Sequence, residues 1–322
     1  MIFISYSQNL EDVMLWRALK HIEQGFYVDV GANDPKFLSV TRAFYERGWH
    51  GINIDPATWA LLNKERTRDI NLEVAASAAE GQITFYEVSD STLSTSASKV
   101  AEQYRERGQV VIERKVPSMT LNQILAKYSN GPIHFMNIDV EGAELDVLRG
   151  LDLSTWRPWI ILIEATIPTT EIPCFEESES LIVSSNYEFV YFDGLNRFYV
   201  AKEHGELLKS FCAPPNIFDH YVLSRQVDDQ RDLEAKEKVI QAQNSVIQSQ
   251  NRELEAKEKV IQSQNRELEA KEKVIQAQNG ELKAREEIIQ KFQTSYLFWI
   301  SAGPFRRVPG VRLITSRLQS SQ

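Results

Sequence analysis

Val28-Asp29-Val30-Gly31-Ala32-Asn33-Asp34-Pro35 is the stretch that decides how this chain folds. Phe26 to Val30 is a compact run of aromatic and β-branched residues, and it stops at a glycine followed by turn-forming residues. A helix is expected just beyond, over residues 37–48. A strand that ends in a small-residue turn and feeds a helix lets a ligand approach the backbone closely at the strand's carboxyl end. A pyrophosphate cradle there would need three spaced glycines, and only Gly31 is present. Asp29, two residues before that glycine, suits a ligand that carries positive charge.

Gly51-Ile52-Asn53-Ile54-Asp55 reads as the next strand, ended by Pro56. Its last residue stands 24 positions after Gly31, where an acid can accept both hydroxyls of a ribose. One carboxylate for a cation and one for a ribose, at successive strand ends, together fit S-adenosylmethionine, whose sulfonium and ammonium are positive. Each alone has a plainer reading. An Asp before a proline is a common turn residue, and a lone glycine after a strand often only turns the chain. Their order within one strand, helix and strand favours cofactor binding.

Asn137-Ile138-Asp139-Val140-Glu141-Gly142-Ala143-Glu144 puts three acids at the end of a strand expected over 135–140 and at the start of a helix expected over 143–151. The helix dipole alone can explain Glu141 and Glu144, since it favours acids at a helix N-terminus by about 0.3–1 kcal/mol. Asp139 is different. It follows an apolar residue at a strand end, where burial without compensation is costly, so a ligand, a cation or a hydrogen-bond network is expected beside it.

The same alternation runs through most of residues 1–223. Helices are expected over 7–21, with Asn9 as N-cap, and over 120–128; strands over 72–75, 83–88 and 160–165. Strands separated by helices imply right-handed crossovers, hence an α/β fold with a largely parallel sheet and helices on both faces. Phe189 to Phe192 and Arg197 to Val200 flank Asp193-Gly194-Leu195-Asn196, whose turn residues make the sheet's end an antiparallel hairpin.

Beyond Leu223 the composition shifts to Glu, Lys, Gln, Asn, Ala, Ile and Val. Leu233, Ile240, Ile247 and Leu254 open a series spaced by seven that continues to Ile289, the signature of a heptad repeat. With these as d positions, the a positions are Glu or Asn, starting at Glu237, Asn244 and Asn251. A seam so polar implies weak or conditional association with a second copy or a partner protein; a solitary solvated helix is the alternative. Three regions follow: a catalytic domain at 1–223, a coiled coil at 224–291 and a basic, aromatic tail at 292–322. In the tail Tyr296, Phe298, Trp299 and Phe305 neighbour Arg306, Arg307, Arg312 and Arg317 with no acid between, which suits either peripheral contact with a membrane or docking on a protein.

The net charge of −9 excludes a general nucleic-acid binder. Two cysteines, Cys174 and Cys212, without a CxxC pair or an export leader, fit reduced thiols in the cytoplasm, with the tail at the inner face of the membrane in the anchoring reading.

Phe26 to Asn33, Gly48-Trp49-His50-Gly51-Ile52-Asn53-Ile54-Asp55-Pro56 and Ile138 to Glu144 together resemble the FkbM family of methyltransferases. Ser7-Gln8 with Glu11-Asp12, Trp156-Arg157-Pro158-Trp159 and Tyr191 to Val200 extend the similarity over roughly Ser7 to Val222. The resemblance implies a Rossmann-like class I methyltransferase fold that moves a methyl group from S-adenosylmethionine to oxygen, often on a sugar, glycan or related natural product. By the same resemblance Asp29, Gly31, Ala32, Asn33 and Pro56 would line the cofactor loop, Asp55 would hold ribose, and Asp139 and Glu141 would line the reaction centre. Where many members carry a further glycine, this chain has Asp34-Pro35. The acceptor proton could go to a carboxylate, or a divalent metal such as Mg2+ on Asp139 and Glu164 could serve instead; the sequence leaves both open. A reading from another class is a non-catalytic, cofactor-binding scaffold that tethers glycan-assembly enzymes through the coiled coil.

Overall fold

The computed structural model describes residues 2–88 and 93–302. The chain divides into two compact units, Met1–Asp232 and Leu233–Gln322. In chain order the first contains β1 (Phe3–Ser5), α1 (Glu11–Leu19), β2 (Phe26–Val30), α2 (Arg42–Glu46), β3 (His50–Ile54), α3 (Trp59–Glu65), β4 (Ile70–Leu72), β5 (Ala75–Ala76), β6 (Gly81–Val88), α4 (Ser98–Glu106), β7 (Val111–Met119), α5 (Leu121–Tyr128), β8 (Phe135–Ile138), α6 (Glu144–Arg149), β9 (Ile160–Glu164), α7 (Glu176–Ser184), β10 (Tyr187–Phe192), β11 (Asn196–Ala201) and β12 (Tyr221–Leu223). A last helix, α8, spans Ser224–Ala302.

The main sheet is mixed and has seven strands in the order β10-β11-β9-β8-β2-β3-β4. β9, β8, β2, β3 and β4 are parallel, while β11 runs antiparallel to both of its neighbours. Period two sorts the side chains. Val28 and Val30 join Ile52, Ile54 and Ile138 on one face, against Leu121, Ile124 and Leu125 of α5 and Val147 of α6. Tyr27 joins Phe135 and Leu162 on the other, against Met14, Leu15 and Leu19 of α1 and Phe44 of α2. Both faces are therefore covered by helices, as a strand set apolar on both sides requires. β5, β7 and β6 form a separate three-stranded sheet, and β1 pairs parallel with β12.

Several local expectations change. The helix expected over 7–21 begins only at Glu11, because Leu10 adopts a left-handed φ of +66°; Asn9 does not cap it but donates its backbone N–H to Glu11 Oε2 at 2.7 Å. The helix expected over 37–48 shrinks to Arg42–Glu46: Leu38 is left-handed at φ +57°, and Thr41 hydrogen-bonds Asp29. The strand expected over 72–75 breaks between two sheets, β4 ending at Leu72 and β5 starting at Ala75. The strands expected over 135–140 and 160–165 stop at Ile138 and Glu164, and the helix expected over 143–151 runs only from Glu144 to Arg149. By contrast the 120–128 helix is fixed by a capping box, in which the Thr120 hydroxyl accepts from Gln123 N and Gln123 Oε1 accepts from Thr120 N. The hairpin forms where expected, its turn held by the Asp193 carboxylate accepting the Leu195 and Asn196 N–H groups.

In the second unit α8 carries the heptad series on its surface, where Leu233, Ile247, Leu268 and their companions are 51–57 % exposed. Lys257 and Lys271 pair with Glu253 and Glu267 one turn back, each at 2.6 Å. Among the described residues no helix is long and apolar enough to cross a membrane. Of the basic, aromatic tail expected over 292–322, residues 292–302 continue α8, and the remainder lies outside the described residues.

Candidate active site

The chain leaves β2 toward β3 on one side, and β8 lies on the other, so the sheet's strand order reverses between β2 and β8. Crevices in open α/β sheets lie at such a point, beyond the carboxyl ends of the strands. Here β2 is followed by Gly31 and β8 by Asp139, whose N–H donates to Val30 O at 3.0 Å. The two segments touch so closely that a Cβ on Gly31 would lie 1.7 Å from the Asp139 carbonyl oxygen, and Gly31 has φ +83°. Only glycine meets both conditions.

A cavity of about 290 Å³ opens over this crossing. Its described lining includes the carboxylates of Glu11, Asp29, Asp55, Glu87, Asp139 and Glu141, with no Lys, Arg or His. The structure thus brings together Asp29, Gly31, Ala32, Asn33, Asp55, Pro56, Asp139 and Glu141 along one cleft. Glu164, at the end of β9, does not line that cleft but meets Asp139 beside it.

Each acid is held differently. Asp29, on the aromatic face of β2, is buried and accepts from the Thr41 hydroxyl at 2.8 Å and from Asn137 Nδ2 at 2.9 Å. Burial raises its pKa despite both bonds. Asp55 accepts backbone N–H groups from Ala57 at 2.7 Å, Thr58 at 2.8 Å and Asn33 at 3.0 Å, so it ties the β2 loop to the β3 loop besides facing the cleft. Truncating it would cost loop structure as well as any ligand contact. Glu11 accepts from Asn196 Nδ2 at 2.9 Å and Asn9 N at 2.7 Å; burial, with Asp193 nearby, pushes its carboxyl up to about 7.

Glu141 sits in a left-handed turn, φ +54°, followed by Gly142 at φ +93°. The Thr95 hydroxyl holds its carbonyl at 2.7 Å and the Tyr104 hydroxyl its carboxylate at 3.1 Å. Burial, with help from Glu144, raises its pKa to about 7, against the lowering effect of the Tyr104 bond. Burial and the neighbouring carboxylates raise Asp139 well above the ordinary range, and they carry Glu164 up to about 10. Glu144 is the first residue of α6, and its Oε1 accepts from Val140 N at 3.1 Å and Gly142 N at 3.0 Å, in the loop that precedes the helix.

Sequence reasoning did not single out Thr41 and Asn137, which hold Asp29, or Tyr104, which holds Glu141. It also passed over Glu87 and the closing of the cleft by Glu11 with Asn196. The pattern Gln8, Glu11 was visible ahead of β2, but nothing local tied it to the cleft. His134 accepts from Phe26 N at 2.9 Å and lies between Trp49 and Trp159, away from the acids. Cys174 and Cys212 are free, exposed thiols.

A family model described as the methyltransferase FkbM domain matches residues 29–207, from the acid of β2 through the end hairpin. No curated protein matches the chain.

Proposed function

The chain belongs to the FkbM methyltransferase family, and from that premise we propose that it transfers the methyl group of S-adenosylmethionine to a hydroxyl oxygen of a sugar, glycan or related natural product. The observation that carries this reading is the cleft itself: six carboxylates and no cationic side chain among its described lining, around a glycine that lets a ligand reach the backbone. Such a site favours a ligand that brings positive charge. The strand order, with one reversed strand next to the edge, supports a Rossmann-like class I methyltransferase fold.

In this reading Asp29 and the turn at Gly31, Ala32 and Asn33 receive the charged end of S-adenosylmethionine, and Asp55 and Pro56 border the ribose. When bound, S-adenosylmethionine supplies an electrophilic methyl on sulfur. The chain's own part is to align the acceptor oxygen with that methyl and to take the hydroxyl proton. Glu141, with a pKa near 7 and a turn fixed by Thr95 and Tyr104, is suited to accept that proton, and Asp139 stands beside it. The heptad series adds a self-association surface in the second unit.

Titration calorimetry with S-adenosylhomocysteine tests the reading. We expect one saturable site per chain, weakened by Asp29→Asn about tenfold, since a charge-assisted contact contributes about 1.5 kcal/mol. Absence of saturable binding by the folded chain would sink the assignment.

A further inference from the structure

Asp139, Glu144 and Glu164 each present one carboxylate oxygen, and the three oxygens lie within 4.8 Å of one another. The parallel pairing of β8 with β9, which sets Ile138 opposite Ile163, carries these acids to one place at the strand ends. Three carboxylates this close repel one another, and burial removes the water that would screen them. Such a cluster is relieved by protons or by a bound cation, and the described lining of the adjoining cleft offers no cationic side chain to do so.

A second observation is independent of the number of acids. Glu164 is only 8 % exposed, and its Oε2 is buried without a hydrogen-bond donor. Leaving a buried carboxylate oxygen unpaired costs more than leaving a neutral group so. Glu144, in contrast, is oriented by two backbone N–H groups on Oε1, which leaves Oε2 to meet a ligand. That is the arrangement in which outer hydrogen bonds aim an inner carboxylate.

We propose that Asp139, Glu144 and Glu164 bind one divalent cation of the hard class: Mg2+, Mn2+ or Ca2+. The ligand set is all oxygen, with neither imidazole nor thiolate, which selects these ions over zinc or copper. Oxygens bound about 2.1–2.6 Å from such an ion stand roughly 3–5 Å apart, and the observed spread falls in that span. Two positive charges against three negative leave the cluster close to neutral. Because Asp139 also lines the cleft, the ion would give an acceptor oxygen a Lewis-acidic neighbour. That role rests on the methyl-transfer reading, whereas the site rests on the oxygens alone.

Titrating Mn2+ into the metal-free full-length chain should reveal one saturable site from which Mg2+ competes. Glu164→Gln and Asp139→Asn should each weaken it about tenfold or more, the size of effect that changes around a metal's ligands produce. Glu188→Gln, an exposed change on β10, should leave it intact. Melting curves give an independent readout. Mn2+ should raise the Tm of the parent chain and not that of Glu164→Gln, and without metal the Gln variant should melt no lower than the parent. Absence of saturable Mn2+ binding, or undiminished binding by folded Glu164→Gln, overturns the proposal. S-adenosylhomocysteine titrated in parallel separates the two readings: its binding without Mn2+ binding removes the cation alone, and the reverse removes the cofactor assignment alone.

Discussion

Val28 and Ile261 are both β-branched and both belong to a regular apolar series, yet one is wholly buried and the other 55 % exposed. In the first unit the series has period two and is matched by others: Val28 meets Ile52 and Met136 in neighbouring strands and α5 above the face. In the second the series has period seven, forms one narrow stripe on a helix, and is flanked by Glu and Asn. A period identifies the element and its apolar side. Burial depends on what faces that side, and the two regions differ there.

The glycines sharpen this contrast most. Gly31→Ala puts a methyl on the Asp139 carbonyl in a left-handed backbone, so both clash and strain oppose it. The expected loss is about 3–5 kcal/mol of stability in the first unit, together with S-adenosylhomocysteine binding. Urea denaturation followed by tryptophan fluorescence measures it. A variant as stable as the parent would mean that β2 and β8 do not cross so tightly.

Acidity separates the units next. Glu11 is buried with a carboxyl at about 7, whereas an unfolded glutamate titrates near 4.5. Between these values the folded chain holds a proton on Glu11 that the unfolded chain has released, so the contribution of Glu11 to stability falls as pH rises from about 5 to about 7 and levels above. Glu11→Gln removes that dependence and should flatten the slope by about 3 kcal/mol over the window. The comparison is of slopes, because Gln also loses the bond from Asn9 N. Parallel pH profiles for the two proteins would place the Glu11 carboxyl in an ordinary environment.

How much could be read in advance follows the same division. The end hairpin was legible because it is fixed by neighbours within a few residues: Asp193 accepts the Leu195 and Asn196 N–H groups of its own turn. The turn at Gly31 and the acids at 139 and 141 were legible only as residue types at strand ends, their partners lying far along the chain. The helix expected over 37–48 failed because Thr41 serves Asp29, twelve residues away, and no local propensity records that bond. β7 went unread: Val111 to Met119 contains three charged residues and Pro117, yet it pairs with β6 along its length. Asp55 showed as an acid at a strand end, but its hold on three backbone N–H groups depends on how two loops meet. Glu144 was read as a helix-start acid, which it is; its nearness to Glu164 came only from the strand register.

The smallest effect has the opposite sign. Gly280 lies within α8, and a Cβ there would meet nothing within 4 Å. In the heptad register it is a b position, facing away from the seam, so alanine costs nothing in contacts and removes the glycine penalty of a helix interior. Gly280→Ala should therefore stabilise the helix by about 1 kcal/mol, seen as higher far-UV ellipticity and a later helix melt in the full chain. Concentration decides what the gain acts on. If two copies close over the seam of Leu233 to Ile289, the added ellipticity grows with protein concentration, because helix formation and association are coupled. If the helix stays solitary, the gain is the same at every concentration. A fall in helix content would contradict both, since it would require Gly280 to occupy a conformation or a packed contact that this exposed helical position does not have.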